Sequence, residues 1–463
     1  MNIQKNTFPS TLTLYRQEFW DTLRLSYPIV VAQIGLVAMG VTDSLMVGHY
    51  LGEVALGASG IANSIFFVVC VIGIGVMSIL APLTASAKSQ QNTLRCGQLL
   101  RAGLQVGFLI GLLSMFVILV LSWNFAWFRQ SPAVMAQAVP YLQIVAVSAL
   151  PMMLFLAFKG FSDGLSITQP AMYITFFAFF INIPLNWLLI EGHWGLPAWG
   201  LNGAGLATLL SRTLMWIGLY LIFQYSNKIK SYVPFQKGWL PQWEIIQKIM
   251  ILGLPAGFQY LFEAGAFAAA AVIIGWLGES PLAAHQIAIS MASITYMIAA
   301  GFAAAGSIRV GDAWGARNPV GVRRNGSVAF GLAAAFMLVS CLTFIIFNQA
   351  LVHLYIQEGE VVGIAASLMI IAGFFQLSDG VQCAALGALR GLEDVNIPTL
   401  FALVAYWVIG LPLGYWLAFE AKMGIQGVWI GLSAGLTASA FLLTSRFYIL
   451  AGQKSRYEQK ALN

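Results

Sequence analysis

The sequence predicts an all-α membrane protein of twelve transmembrane helices, arranged as two pseudo-symmetric six-helix lobes. Three observations carry this prediction: an apolar composition, a recurring length of apolar run, and an internal repeat. Of 463 residues, 59% are hydrophobic and 9% charged, whereas a soluble domain carries about 25% charged residues. Such a chain cannot cover itself with polar surface, so lipid has to solvate most of it.

Apolar stretches of about 17 to 25 residues mark the spans. They fall near 24–47, 55–82, 98–121, 140–160, 170–190 and 200–223, and then near 250–277, 282–306, 322–346, 362–389, 398–419 and 425–450. The expected organisation is an N-lobe over 1–223, a cytoplasmic interlobe linker over 224–248, and a C-lobe with a cytoplasmic tail over 249–463. The first twenty residues lack the apolar core of a cleaved signal peptide, so the first helix is expected to serve as the targeting signal.

Cations are retained on the cytoplasmic side of a membrane. Of the 23 Lys and Arg residues, only Arg129 and Lys422 fall in odd-numbered connections, and Arg212 falls within a span. The remainder, among them Lys5, Lys159, Lys237, Arg390, Lys454, Arg456 and Lys460, are assigned to the cytoplasmic side with both termini. The net charge of +6 thus follows from topology. It forms no basic stripe interleaved with aromatics, so nucleic acid is not an expected partner. Cys70, Cys96, Cys341 and Cys383 have no CxxC spacing and read as small packing residues. His49, His193, His285 and His353 show no metal-ligand spacing, and no nucleophile elbow or phosphate loop occurs, so enzyme readings lose support.

The halves repeat. Setting Pro28 against Pro255 brings Leu51-Gly52 to within one residue of Leu277-Gly278. The same offset nearly aligns Asn182-Ile183-Pro184-Leu185-Asn186-Trp187 with Gly410-Leu411-Pro412-Leu413-Gly414-Tyr415. Each half has an even number of spans, so the two enter from the same side as parallel repeats about an axis along the membrane normal. The prolines read as helix starts.

Three acids fall well inside predicted spans: Asp43, Glu263 and Asp379. A carboxylate at a helix centre costs about 2.5 to 3.5 kcal/mol on insertion scales, so it faces a polar cavity, pairs, or takes up a proton. At about 1.5 Å per residue, Glu263 and Asp379 lie roughly 22 and 16 Å from the basic ends of their helices, a depth at which they can meet. Asp43 belongs to a different place, because its repeat equivalent near Ala270 is not acidic. Asn182 and Asn186 share one helix face at i, i+4, as a polar pocket with Asp43 or as interhelical glue. Gln33, Arg212, Gln259, Gln286, Gln376, Ser378 and Gln382 are weaker polar signals.

Together these residues resemble the multidrug and toxic compound extrusion (MATE) family, particularly its NorM-type bacterial branch, over nearly the whole chain. The segments that carry it are Met39-Gly40-Val41-Thr42-Asp43-Ser44-Leu45-Met46-Val47-Gly48, Asn182-Ile183-Pro184-Leu185-Asn186-Trp187, Ala283-Ala284-His285-Gln286, Ser307-Ile308-Arg309-Val310-Gly311, Leu389-Arg390-Gly391 and Tyr406-Trp407-Val408-Ile409-Gly410-Leu411-Pro412. The resemblance implies a V-shaped pair of lobes of the MATE/MOP type that open alternately to either side, exchanging Na⁺ or H⁺ for an organic, mostly cationic drug. It implies an N-lobe cation or proton and substrate pocket at Asp43, Asn182, Asn186 and Thr208, and a C-lobe coupling site for Na⁺ or H⁺ at Glu263 and Asp379. Gln286, Phe375 and Ser378 are possible supporting residues. The family pattern often has Tyr four residues before the second C-lobe acid, where this chain has Phe375.

The expected function is therefore a multidrug efflux antiporter of the bacterial inner membrane, a monomer with no cofactor, whose partners are small-molecule drugs and membrane lipid. The alternative is a flippase for lipid-linked saccharides. A pyrophosphate-bearing substrate calls for several intramembrane cations, and the spans as read offer only Arg212 against three acids. A membrane enzyme or a structural membrane protein would show no substrate flux.

Overall fold

A computed structural model describes residues 11–232, 241–357 and 359–461. Lys5 and Lys237 lie outside the described residues, as do the side chains of Lys454, Arg456 and Lys460. Among the described residues, twelve helices are long and apolar enough to cross a bilayer. In the N-terminal half they are α1 (Thr13–Leu51), α2 (Glu53–Ser89), α3 (Thr93–Trp123), α4 (Pro132–Gly164), α5 (Gln169–Glu191) and α6 (Leu201–Tyr225). In the C-terminal half they are α7 (Trp243–Gly275), α8 (Glu279–Gly315), α9 (Pro319–Ile346), α10 (Glu360–Gly391), α11 (Asn396–Phe419) and α12 (Gly424–Gly452).

Most of these helices outrun the apolar stretches. The 39 residues of α1 extend about 58 Å, against a hydrocarbon core of about 30 Å. Hydropathy reports the part of a helix that lies in lipid, and the charged turns beyond it continue the same hydrogen-bond ladder. Pro28 and Pro255 accordingly sit inside α1 and α7, not at helix starts as the apolar runs suggested. Within α2 and α4 the helix is interrupted once, at Ile79 and at Ser148. A π-helical turn, Val404–Gly410, lies inside α11, the kind of irregularity that clusters at functional sites.

The repeat is visible in the backbone. Gly52 and Gly278 both have positive φ in the turns after α1 and α7, the left-handed region that a Cβ disfavours. Gln91 and Arg317, then Ser166 and Glu393, then Gly200 and Gly424 are further positive-φ pairs at nearly the same offset. Asn92 and Asn318 cap α3 and α9 alike, each side chain accepting a backbone N–H three residues on at 2.9 Å, which satisfies a donor the helix leaves orphaned.

The core of the N-terminal half also takes in Ile245, Ile246, Ile249 and Ala256 of α7, two further cores lie in the C-terminal half, and the halves meet through small residues. A Cβ on Gly75 of α2 would clash with the backbone of Gly257 in α7, and one on Gly301 of α8 would clash with Val30 of α1. Gly311 and Gly315 of α8 approach Pro82 and Ser86 of α2 in the same way. Close approach through small residues is how helices associate without a hydrophobic drive between them. A cluster of Leu25, Ile29, Ala85, Ala305 and Ile308 seals the contact. All these positions fall in the first halves of α1 and α7 and the second halves of α2 and α8, at the end that carries the basic connections.

Candidate functional site

Two cavities open along this interlobe seam. One, of about 280 Å³, lies in the N-terminal half and is lined by Gln33, Asp43, Lys159, Thr208 and Arg212 among apolar neighbours. The other, of about 150 Å³, lies between the halves and is lined by Gln33, Lys159, Asp163, Gln259, Glu263, Ser307, Cys383 and Arg390, among others.

In the first cavity, α1 brings Asp43 against α5 and α6. Asn186 donates from Nδ2 to Asp43 Oδ1 at 2.6 Å, and the Thr208 hydroxyl donates to Oδ2 at 2.8 Å. Asn186 Nδ2 also lies 3.1 Å from Asn182 Oδ1. All four side chains are buried. Asn182 and Asn186 are one turn apart, so a single face of α5 presents both amides. Four residues beyond Thr208, Arg212 donates to the Ser148 hydroxyl at the break in α4, at 2.6 Å, and lies over the Phe66 ring at 4.5 Å. Its charge acts on Asp43.

This geometry makes a mutational prediction. Thr208 and Asn186 both donate, so Asp43→Asn can accept from one and must turn an N–H toward the other. The Thr208 hydroxyl can turn to the Ala204 carbonyl, which it already reaches at 3.1 Å, and accept that N–H, so the loss is that of the charge assistance to the two bonds, about 1 kcal/mol. The thermal unfolding midpoint in detergent is expected to fall accordingly, and an unchanged midpoint would mean that the carboxylate's charge adds nothing to the two bonds.

In the C-terminal half, Glu263 of α7 and Asp379 of α10 are both buried and close enough for their charges to interact. The Tyr406 hydroxyl, from the π-helical turn of α11, lies near Glu263. It also pairs with the Gln382 carboxamide, at 2.7 and 3.1 Å. Gln376, one turn before Asp379 on α10, is fully buried, and neither of its side-chain polar atoms has a partner among the described residues. Carboxylates with amide and hydroxyl oxygens around them form the donor set of a hard cation. Phe375 packs edge-on against Phe267 and Trp429, with centroids 6.0 and 5.5 Å apart. Gln286 is exposed, and the Ser378 hydroxyl pairs with Thr437 at 2.8 Å.

The charge reading of the sequence needs a correction. Lys159 and Arg390 are not in cytoplasmic connections. Lys159 is buried inside α4 and pairs with Asp163 at 2.7 Å. Arg390, in the last turn of α10, donates to the Tyr260 hydroxyl and to Gln259 Oε1, both at 2.9 Å. A reading that ends each span at its first charged side chain places such residues outside by construction. The i, i+4 spacing of Lys159 and Asp163 was the signal available for a helical pair. Tyr406 carried no signal of its own, because a tyrosine in an apolar run reads as packing.

The MatE family model matches residues 28–188 and again 255–416, so its two copies begin at the two prolines that align the halves. The chain is 35% identical over 445 residues to a probable multidrug resistance protein NorM of Mesorhizobium japonicum, covering 94% of each. It is 33% identical to the multidrug resistance protein NorM of Aliivibrio fischeri, covering 96% of this chain and 98% of that one. The crystal structure of the eukaryotic MATE transporter AtDTX14 superposes with a TM-score of 0.86 at 22% identity, covering 97% of this chain and 100% of that one, which shows the fold. With the twelve apolar helices, these findings make the chain an integral membrane protein that belongs to the MatE family.

Proposed function

We propose that this protein is a secondary active multidrug efflux antiporter, exporting organic, mostly cationic compounds in exchange for Na⁺ or H⁺ by alternating access. The observation that supports it most is the placing of buried carboxylates, Asp43 and Glu263, in the lining of cavities beside a seam whose close glycine contacts lie at one end. Cation and drug compete there, and a ligand shifts the equilibrium between two states only through differential affinity for them. Residues 1–223 and 249–463 form the two lobes, with 224–248 as a cytoplasmic linker. The basic connections face the cytoplasm of a bacterial inner membrane, which makes the closed end cytoplasmic and opens the cleft outward. The protein works as a monomer in lipid, without a cofactor and without catalysing a reaction.

Asp43, with Asn182, Asn186 and Thr208, forms the N-lobe pocket; Glu263 and Asp379 form the C-lobe coupling site. The flippase alternative gains two cationic side chains in the central cavity, Lys159 and Arg390. Lys159 is neutralised by Asp163, which leaves Arg390, hydrogen-bonded to the neutral Gln259 and Tyr260, as a single uncompensated cation in the central cavity among the described residues, and not the cluster a pyrophosphate calls for.

The direct test is ethidium efflux from proteoliposomes under an imposed Na⁺ gradient and, separately, an imposed pH gradient. At least one gradient is expected to drive efflux above the rate in empty liposomes. Ethidium retention under both would overturn the reading.

A further inference from the structure

The central cavity lies on the pseudo-symmetry axis. Its lining takes repeat-equivalent positions from both halves: Gln33 and Tyr260, Leu156 and Cys383, Gly160 and Gly387, Asp163 and Arg390. The backbone there is symmetric and the charge is not, since an acid in one lobe stands where the other has an arginine. Packing alone gives no reason for that inversion.

The buried polar atoms of this cavity are also incompletely paired. Asp163 is 4% exposed; its Oδ2 holds Lys159, and its Oδ1 has no partner among the described residues. Across the cavity, Gln259 Nε2, Arg390 Nε and Ser307 Oγ are likewise without partners among them. Buried polar atoms are ordinarily satisfied, and each exception asks for an explanation. A buried ion pair is also weak evidence for stability, because desolvation offsets its attraction. Lys159 and Asp163 sit one turn apart on a single helix, so their pairing joins no two elements.

Lys159 borders both cavities, as do Gln33, Ile74 and Leu156. Neither cavity alone reaches the size usual for a drug-sized ligand, which is about 300 Å³ and upward; together they do. Lys159 stands at their junction, held there by Asp163.

We propose that Asp163 binds the positive group of an organic cation in the central cavity, with Lys159 as the resident counter-ion that the arriving cation displaces. This rests on the proposed transport of organic cations and adds a binding site to it. An ammonium or amidinium group can take both carboxylate oxygens once Lys159 has left, while acceptor groups elsewhere on the compound meet Arg390, Gln259 and Ser307. Releasing Lys159 also opens the junction between the cavities, which lets one ligand span both.

The test is equilibrium binding of ethidium to purified full-length protein in detergent, followed by fluorescence. Lys159→Met removes the competitor and is expected to tighten ethidium binding about tenfold, or 1.4 kcal/mol. Asp163→Asn is expected to weaken it by at least a similar factor, and adding Lys159→Met to Asp163→Asn is expected to recover only what the unpaired lysine costs by repulsion, leaving affinity below that of Lys159→Met alone. If Asp163→Asn alone fails to fold, the neutral double variant, which leaves no unpaired charge, is compared with Lys159→Met and is expected to bind more weakly. A double variant that binds as tightly as Lys159→Met alone would overturn the proposal, as would wild-type affinity in Asp163→Asn. Asp43→Asn is measured in parallel: loss of binding there with no effect at Asp163 removes this site and leaves the transport reading standing. Failure of the unmutated protein to bind ethidium removes both.

Discussion

Replacing Glu263 by Gln, or Asp379 by Asn, is expected to reduce ion-driven ethidium efflux in proteoliposomes to the rate of empty liposomes. Each substitution keeps the size of the side chain and removes the charge. At about 4 Å and the effective dielectric of a protein surface, a unit charge pair interacts by about 4 kcal/mol, and every 1.4 kcal/mol is tenfold in binding. Loss of one carboxylate therefore takes cation affinity down by at least about a hundredfold, beyond what a physiological gradient can offset. The two acids are buried together, with the Tyr406 hydroxyl beside Glu263, so neither can stand in for the other. Downhill leakage of ethidium without a gradient is expected to survive in both variants, because the interlobe seam does not depend on these side chains. Gradient-driven efflux at the wild-type rate in both would mean that coupling runs through Asp43 alone.

The fold was almost fully legible in the sequence, because hydrocarbon admits few solutions for a backbone: twelve apolar runs became twelve helices. The offset between Pro28 and Pro255 anticipated both the paired left-handed turns and the two copies of the family model. The acids were legible for the same reason, since an ionised group inside an apolar run stands out. Asn182 and Asn186 were found by their spacing, and the hydrogen bond from Asn186 to Asp43 explains why that spacing occurs. What the sequence hid lies at helix ends and in long-range pairing. Lys159 and Asp163 sit where an apolar run gives out, and a run has no way of marking a helix that continues into a cavity. Tyr406, Gln382 and Gln376 come near Glu263 and Asp379 through the packing of α7, α10 and α11, which leaves no local period. The interlobe glycines are visible as glycines in the sequence, but their partners in the other half are not.

The closed end of the seam supplies the second large effect. Glu18, in the part of α1 that precedes its apolar run, pairs across the lobes with Arg309 of α8, and with Arg324 of α9 at 2.6 Å. Asp21 stands 3.7 Å from Arg309 as a weaker partner. One carboxylate thus serves two guanidinium groups, and its side chain is only 13% exposed. Glu18→Ala leaves Arg309 and Arg324, both on the C-terminal side of the contact, without their shared carboxylate from the N-terminal side, and only Asp21 near Arg309. Removing one partner of a buried pair costs about 3 to 5 kcal/mol, and the exposure of these arginines lowers that figure. Even 1 to 3 kcal/mol is a population change of about 5- to 150-fold, directed toward the state in which the cytoplasmic end is open. The protein carries its own reporter, since Cys383 lines the central cavity while Cys70, Cys96 and Cys341 are buried. In inside-out vesicles, a membrane-impermeant maleimide is expected to label the Glu18→Ala variant at Cys383 about tenfold faster than the unmutated protein, and Cys383→Ser in the same background is expected to abolish that labelling. Equal labelling rates with and without Glu18 would mean that the glycine contacts at Gly75, Gly257, Gly301 and Gly311 hold the end closed unaided, and that the ion pairs only follow the lobes.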